Sequence, residues 1–259
     1  MDRLKTLLWY ARRPSFWQHG VELVGRKLTR ARRRYEKRKH EVQAWAEPLA
    51  VSAREALAAV GLIAGSDPLP SMPVDLLEEG RRLASAVDVR MGGAADLGLL
   101  YAATLSLQPD AALETGVAYG WSSLAILEAL ERNGKGALVS IDMPYPKRKN
   151  ERWVGVVVPA RLRSRWRLIR QPDRPGIRKG VRALGGSIGL AHYDSDKSYP
   201  GRMYAYPLLW DALLPGGLFI SDDIQDNFAF RDFCDRRRIP FQVVRNGDKF
   251  AGLARKPAK

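Results

Sequence analysis

Apolar and polar positions along the chain predict strands and helices in turn from about residue 90 onward. Five short apolar runs have the length of buried strands: AALET, ALVSID, WRLIR, IGLAHYD and GLFIS. Between them lie segments of helical length, such as WSSLAILEALER, which Asn133 and Gly134 close. Strands that alternate with helices in this way predict a parallel sheet with helices packed on it.

The last predicted strands differ from the others. Two runs rich in β-formers flank Asn246 and Gly247, a pair that favours a tight turn between antiparallel strands. The expected fold is therefore a Rossmann-like, doubly wound α/β fold, with a mostly parallel sheet that an antiparallel C-terminal hairpin completes.

The first quarter of the chain has a helical pattern only, with a break at Arg13 and Pro14 and a basic run, RARRRYEKRKHEVQAWAEPLA, after a second helix. The segment GSDPLPSMPVD, rich in turn-forming residues, predicts a linker, and the core is expected to begin near Val74. The predicted units are a basic helical arm at 1–64, a linker at 65–75 and a domain at 76–259.

Charge is concentrated in the arm. The chain has 259 residues and a net charge of +15, and residues 1–40 hold 13 Lys and Arg against three acidic residues, a net charge of +10. The apolar run LLWYA is too short for a signal peptide or a membrane span, so we expect a cytoplasmic protein.

Two roles of the arm stay open at this point. Basic residues interleaved with apolar ones favour peripheral contact with an anionic membrane, at the inner face; the apolar residues are Leu7, Leu8, Trp9, Tyr10, Phe16 and Trp17. Alternatively, the aromatic side chains pack onto the domain as a lid, or between two copies of the chain. The arm has no recognised nucleic-acid-binding module, which argues against nucleic acid as its partner.

Few residues are suited to a nitrogen or sulfur metal site. The chain has one cysteine, Cys234, which lies among phenylalanines at helical spacing and is expected to pack in the core. Its three histidines form no HExxH motif. Any metal ion must therefore be held by oxygen atoms.

A glycine-containing turn, ETGVAYG, follows the first predicted strand and opens a helix. Glycines there let a ligand approach the backbone, and the helix N-terminus offers unpaired N–H groups. Asp142 ends the next strand, where an acidic side chain accepts hydrogen bonds from ribose hydroxyls in dinucleotide-binding folds. Together the two features predict a nucleotide-like cofactor, although either alone is also typical of an ordinary turn.

Acidic residues follow two further strands, at HYDSDKSY and at SDD. Carboxyl ends of parallel strands meet at one edge of a sheet, and an all-oxygen cluster suits a hard cation such as Mg²⁺. The alternative is that Asp222 or Asp223 caps a helix and that 194–197 is a solvated loop. His192 could act as a base, but a strand histidine is more often a packed residue.

The turn ETGVAYGWSSLAI resembles the first motif of class I methyltransferases, in the version of the caffeoyl-CoA and catechol O-methyltransferases; the resemblance covers about Met91 to Arg255. It implies S-adenosylmethionine (SAM) as cofactor, with the turn around its methionine part, Asp142 on the ribose and Asp173 near the adenine. Pro172 stands where the family has glycine. The implied contacts are Glu114, Gly116, Tyr119, Gly120, Ser122, Asp142 and Asp173.

The sequence Asp-x-x-Lys before a tyrosine is similar to the metal-binding loop of those enzymes, and Asp222-Asp223 resembles their Asp-Asn pair. At the second position of this pair, which is Asp223 here, the chain is more similar to the macrocin-type sugar O-methyltransferases. The resemblance implies a divalent cation, such as Mg²⁺, on Asp194, Asp222 and Asp223, with Lys197 as base and Asp196 as an alternative ligand.

The function expected from these features is metal-assisted O-methylation of a small-molecule or glycan acceptor, such as a sugar, glycan or glycosylated natural product. Two alternatives stay open: methylation of a phenol or catechol, and nucleic-acid binding through the arm, with or without RNA methylation.

Overall fold

Eight strands form one sheet. The computed structural model describes residues 2–28, 38–144 and 150–258. The strands are β1 (Ala50–Val51), β2 (Ala111–Thr115), β3 (Ala137–Ile141), β4 (Trp166–Ile169), β5 (Ile188–Tyr193), β6 (Leu213–Ser221), β7 (Gln242–Asn246) and β8 (Lys249–Arg255).

The strand order is β1-β7-β8-β6-β5-β2-β3-β4, and only β8 runs antiparallel to its neighbours. The prediction of a doubly wound, mostly parallel sheet that ends in an antiparallel hairpin is confirmed. From β2 the chain adds β3 and β4 on one side and returns to place β5 on the other side. Doubly wound sheets bind their ligands at such a reversal, outside the carboxyl ends of the strands.

Side-chain caps begin several of the helices. Asp96 accepts a hydrogen bond from the backbone N–H of Leu99, and Ser198 accepts one from that of Gly201. The described helices are α1 (Asp2–Ala11), α2 (Trp17–Leu28), α3 (Lys39–Ala46), α4 (Ala53–Ala59), α5 (Val74–Ser85), α6 (Leu97–Leu107), α7 (Trp121–Arg132), α8 (Asp173–Ala183), α9 (Tyr199–Ala212) and α10 (Ala229–Arg237).

Each face of the sheet carries its own hydrophobic core. Helices α4 to α7 cover one face, with fully buried side chains such as Leu99 and Leu124. Helices α8 to α10 cover the other, where Tyr206 and Phe230 are buried. Cys234 lies in this second core, where burial raises the pKa of its thiol to about 12. The two cores make the sheet a rigid support for the residues that follow its strands.

The domain takes in residues upstream of the predicted boundary. Strand β1 pairs with β7, and Val42, Ala46, Ala56 and Leu57 are fully buried. A segment whose side chains are buried with a core belongs to that core. Residues 42–57 therefore pack with the domain, whereas the sequence pattern predicts that the domain starts near Val74.

Helices α1 and α2 form a helical hairpin, residues 2–28, that turns at Arg13 and Pro14. Trp17 Nε1 donates a hydrogen bond to the Tyr10 carbonyl (2.8 Å), which fixes the turn. Residues 29–37 of the basic run, and the side chains of Leu7 and Leu28, lie outside the described part of the chain. No helix of the described residues is long and apolar enough to cross a bilayer.

Leu57→Ala is expected to lower the free energy of unfolding by about 2–5 kcal/mol, because it leaves a cavity in the core beside β7. Leu49→Ala is the matched control: Leu49 is 45% exposed, and the loss should stay under about 0.5 kcal/mol. Urea unfolding followed by circular dichroism measures both. Equal losses of unfolding free energy in the two variants would show that residues 42–57 do not belong to the core.

Candidate active site

Four backbone hydrogen bonds place the first residue after each central strand. Each of these residues donates its N–H to the last carbonyl of a neighbouring strand, at 2.8–3.0 Å: Asp142 to Ile169, Gly116 to Ile141, Asp194 to Thr115, and Asp222 to Tyr193. The predicted site residues after β2, β3, β5 and β6 therefore stand in one row along the edge of the sheet.

A cavity of about 1290 Å³ lies above this row. The sequence-predicted site residues that line it are Gly116, Ser122, Asp142, Asp173, Asp194 and Lys197. The other predicted residues lie behind or beside the lining: Glu114, Tyr119, Gly120, Asp222 and Asp223.

The turn after β2 requires its two glycines. Gly116 has a φ of 84°, and a β-carbon there would overlap the carbonyl group of Asp194. Gly120 has a φ of 94°, and its β-carbon would lie 2.8 Å from Cα of Gly155. Only glycine fits both the backbone conformation and the space. The turn can therefore approach the residues after β5 at Gly116 and the loop between β3 and β4 at Gly120.

Glu114 lies inside the domain and not in the cavity, where a contact with the cofactor was expected. Its side chain is fully buried, and Oε2 accepts hydrogen bonds from Ser123 (2.5 Å) and Ser140 (2.7 Å). It thereby joins α7 to β3. The other oxygen, Oε1, lies 3.4 Å from Nδ1 of His192, which is also buried.

His192 is enclosed in the core and reaches no acceptor space. Burial lowers the pKa of His192, but the nearby carboxylates, Glu114 first and then Asp194 and Asp222, outweigh it and raise the pKa overall. The packed-residue interpretation of His192 matches this position, since a base must be able to reach its proton.

Tyr119 holds a loop at the edge of the cavity. Its hydroxyl accepts a hydrogen bond from the backbone N–H of Met91 (3.2 Å) and donates one to the carbonyl of Val89 (3.3 Å). Residues 88–93 of that loop line the cavity. Tyr119 therefore shapes the site through the loop it holds.

Asp142 is buried and already has two partners. One oxygen accepts a hydrogen bond from the Val117 N–H (3.1 Å), and the other pairs with the guanidinium of Arg170. Burial raises the pKa of Asp142, and the charge of Arg170 opposes the shift. This places a carboxylate in the cavity wall at the position that the sequence predicts for binding a ribose.

Asp173 is the first residue of α8, and its carboxylate is hydrogen-bonded to residues at and just after the end of β5. Its carboxylate accepts hydrogen bonds from Ser195 Oγ (2.6 Å) and the Tyr193 hydroxyl (3.1 Å). Burial raises the pKa of Asp173 to about 6, and the negative charge of Asp196 adds to the shift. Near neutral pH the cavity wall thus holds a carboxyl that takes up a proton easily.

Asp194, Asp222 and Asp223 come together as predicted, each with one carboxylate oxygen within 4.8 Å of the others. Asp222 and Asp223 are 3% and 6% exposed. Burial, followed by the charge of Asp222, raises the pKa of Asp194, because neighbouring carboxylates repel one another when ionised. Asp196 is outside this cluster and accepts a hydrogen bond from the Ser198 N–H (3.0 Å).

Two lysines balance the negative charge of the acidic cluster. Lys197 Nζ lies 2.8 Å from Asp194 and also pairs with Asp223, whose other oxygen lies 3.1 Å from Lys249 Nζ. Lys249 is the first residue of β8, in the antiparallel hairpin. The cluster therefore sits in a setting where positive charge stabilises it.

A buried arginine supports the cluster from behind. Arg202 is 1% exposed and donates hydrogen bonds to the carbonyl oxygens of Asp222 (3.1 Å) and Asp223 (2.8 Å). Asp223 has a φ of 51°, in the left-handed region that few residues other than Gly, Asn and Asp adopt readily. The backbone that presents the two carboxylates is thus held in a defined turn.

The helical hairpin covers part of the cavity. Thr6, Tyr10, His19 and Glu22 line it, and Glu22 makes a two-pronged ion pair with Arg174 of α8 (2.7 and 2.9 Å). Arg174 in turn lies 3.8 Å from the ring centre of Tyr204, on α9. This arrangement supports the lid interpretation of the arm for the residues described.

Several of these residues were missed from sequence. Arg170 follows β4 just as Asp142 follows β3, so the pairing of neighbouring strand ends could have found it. No such pairing of parallel strand ends points to Lys249, because it begins β8, which runs antiparallel to β6. The Glu22–Arg174 pair joins residues far apart in the chain, and no local pattern indicates it.

The chain is similar to known proteins in sequence over part of its length and in fold. Residues 113–224 match the family model of a methyltransferase domain. No protein in the curated collection matches the sequence.

Solved structures are similar in fold. An O-methyltransferase from Bacillus cereus in complex with SAH is 13% identical, with a TM-score of 0.59 over 82% of this chain and 100% of that one. TomG from Streptomyces achromogenes, involved in tomaymycin synthesis and solved with SAM, is 15% identical, with a TM-score of 0.55 over 73% and 92%. SAH-bound PaMTH1 from Podospora anserina is 15% identical, with a TM-score of 0.52 over 85% and 96%.

At these identities the solved structures show a common fold, and the family model adds a similarity in sequence to methyltransferase domains. Its span begins in β2 and ends just after the acidic cluster, so it includes the glycine turn, Asp142 and all three clustered carboxylates. Residues 113–224 are therefore similar to a methyltransferase domain, within a fold that this chain shares with solved O-methyltransferases.

Proposed function

We propose that the protein is a SAM-dependent O-methyltransferase that uses a divalent cation to methylate a hydroxyl group of a sugar, glycan or glycosylated natural product. One observation carries the proposal: the glycine turn lies directly against the acidic cluster, at the contact between Gly116 and the Asp194 backbone. A methyl donor held on the turn and a hydroxyl held at the cluster would meet in one cavity.

The cavity wall has groups that fit SAM. Asp142 offers carboxylate oxygens for ribose hydroxyls, although Arg170 now shares one of them. Ser122 lies in the first turn of α7 and lines the cavity, close to the positive end of that helix. Asp173 lines the cavity one strand further on, and we assign it to the adenine side.

The acidic cluster fits a divalent cation by the chemistry of its donors. Asp194, Asp222 and Asp223 offer only oxygen ligands, which hard cations such as Mg²⁺ prefer. A cation bound there would act as a Lewis acid and lower the pKa of the acceptor hydroxyl group. Lys197 and Lys249 now pair with these carboxylates, and a bound cation would take their place.

In the proposed reaction, the acceptor oxygen bonds to the methyl carbon of the sulfonium. The carbon–sulfur bond breaks, its electron pair stays on sulfur, and the hydroxyl proton leaves to a base. Lys197 is our candidate, because it lines the cavity and its Nζ lies beside Asp194. The remaining contribution of the chain is to position the two reactants.

The hydrogen-bonding groups around the cavity favour a polar acceptor. The guanidinium of Arg174 covers one face of the Tyr204 ring, and His19 and Glu22 add polar side chains to the lining. A phenol or catechol would bind best in an open aromatic slot. The Asp222-Asp223 pair also resembles the sugar enzymes, and the O-methyltransferases of the same fold support oxygen as the acceptor atom.

Asp142→Ala is expected to weaken SAM binding by about 1.5–3 kcal/mol, because hydrogen bonds to a charged acceptor are lost. Isothermal titration calorimetry measures the affinity without any acceptor. Asp110→Ala is the control, since Asp110 is exposed and lies outside the cavity lining. Unchanged affinity in Asp142→Ala would remove that residue from the cofactor site, and a wild-type protein that binds no SAM would contradict the proposal.

Asp222→Asn is expected to weaken Mn²⁺ binding more than Asp223→Asn does. Asparagine tolerates the left-handed backbone of residue 223 and keeps one oxygen ligand, as in the Asp-Asn pair of the related enzymes. Electron paramagnetic resonance of free Mn²⁺ gives the affinity, and Asp211→Asn, at an exposed ion pair, is the control. Methyl transfer should also stop in excess chelator and return with Mg²⁺. Equal Mn²⁺ affinity in all variants would remove the cluster as a metal site.

Asp173→Asn is expected to raise the free energy of unfolding by about 1–2 kcal/mol at pH 8 and to change it little at pH 4. The pKa of Asp173 is raised from 3.8 to about 6, so the folded state retains a proton that the unfolded chain releases. The stability contributed by that proton is present below pH 4 and is lost as the pH rises to 6. Urea unfolding between pH 4 and pH 8 measures the free energy of unfolding of the variant, with Asp110→Asn as control. A gain that does not depend on pH would show that Asp173 is not the titrating group.

A further inference from the structure

The helical hairpin has two distinct faces. Thr6 and Tyr10 of α1 line the cavity, and Leu8 between them points to the opposite side and is 48% exposed. In α2, His19 and Glu22 line the cavity. The hairpin therefore presents one side to the site and the other to solvent.

The outer face carries an apolar stripe. Trp17, Val21 and Val24 are 54%, 73% and 55% exposed. Their spacing of four and three residues puts them on one side of α2, about 160° around the helix from His19 and Glu22. Together with Leu8, they make up most of the large exposed apolar side chains in the described part of the chain. An apolar stripe of this kind is typical of a contact surface.

The inner face is the side that holds the hairpin in place. Glu22 is bound to Arg174 by two hydrogen bonds, and Arg174 is in turn stacked on Tyr204. The hairpin can therefore contact a partner through its outer face while its inner face stays on the cavity.

The hairpin that carries the stripe is positively charged. Residues 2–28 hold six Lys and Arg against Asp2 and Glu22, and Arg12, at the turn of the hairpin, is exposed. Exposed apolar and aromatic side chains among basic residues suit a surface that offers hydrocarbon beneath anionic headgroups. A second copy of this chain would bring the same positive charge and would be repelled.

We propose that the outer face of the hairpin, formed by Leu8, Trp17, Val21 and Val24, lies on an anionic membrane surface. The cavity then sits directly beneath the membrane contact, with Tyr10 and His19 between them. Binding of this face does not depend on the methyl-transfer chemistry, so each proposal can fail without the other.

The test is co-sedimentation of the whole protein with vesicles that contain phosphatidylglycerol, compared with neutral phosphatidylcholine vesicles. The variant replaces Leu8, Val21 and Val24 with serine, which leaves the cavity lining unchanged. Its control carries Val74→Ser and Leu214→Ser, which are 66% and 47% exposed and lie outside the hairpin. SAM affinity, measured in parallel, shows that each variant is folded.

We expect the wild-type protein and the control to sediment with anionic vesicles, and the hairpin variant to bind them about tenfold more weakly. High salt should weaken binding of the wild type, because charge contributes to it. Equal binding by variant and control, or no binding of the wild type to anionic vesicles, overturns the proposal. So would a wild-type dimer in sedimentation velocity that the hairpin variant dissociates, or RNA binding without vesicle binding.

Discussion

Four hydrogen bonds between strand ends set the geometry on which the rest of the site depends. Asp142, Gly116, Asp194 and Asp222 each stand one residue beyond a strand and bond to the strand next to them, so their spacing is that of the sheet itself. Side chains on rigid sheet ends keep their distances far better than side chains on loops. The absence of a side chain at Gly116 then lets the turn after β2 meet the backbone after β5.

Opposite charges pair in and beside the cavity. Arg170 lies on Asp142, Lys197 and Lys249 lie on Asp223, and Arg174 lies on Glu22. A ligand that uses one of these carboxylates therefore takes the place of a cation already there. Binding becomes an exchange of partners, which costs less than exposing a bare buried charge, and it selects ligands that supply positive charge or several hydrogen bonds at once.

Much of the architecture could be predicted from sequence, because strands, helix ends and the final hairpin leave local patterns such as AALET and Asn246-Gly247. The gathering of Asp194, Asp222 and Asp223 could be predicted too, since parallel strands end at the same edge. Contacts between distant segments were beyond reach: Glu114 faces inward because Ser123 and Ser140 reach it, and residues 42–57 enter the core through pairing with β7. Such contacts depend on three-dimensional packing, which no local spacing encodes.

The position of β8 has a consequence for the order in which the protein assembles. This strand is late in the chain, yet it lies between β6 and β7 and is the link by which β7 and β1 join the sheet. During synthesis, residues 50–51 must wait for residues 249–255 to emerge before they can take their place. The acidic cluster gains Lys249 at the same moment. The strand that closes the sheet is therefore also the one that adds a second lysine to the acidic cluster.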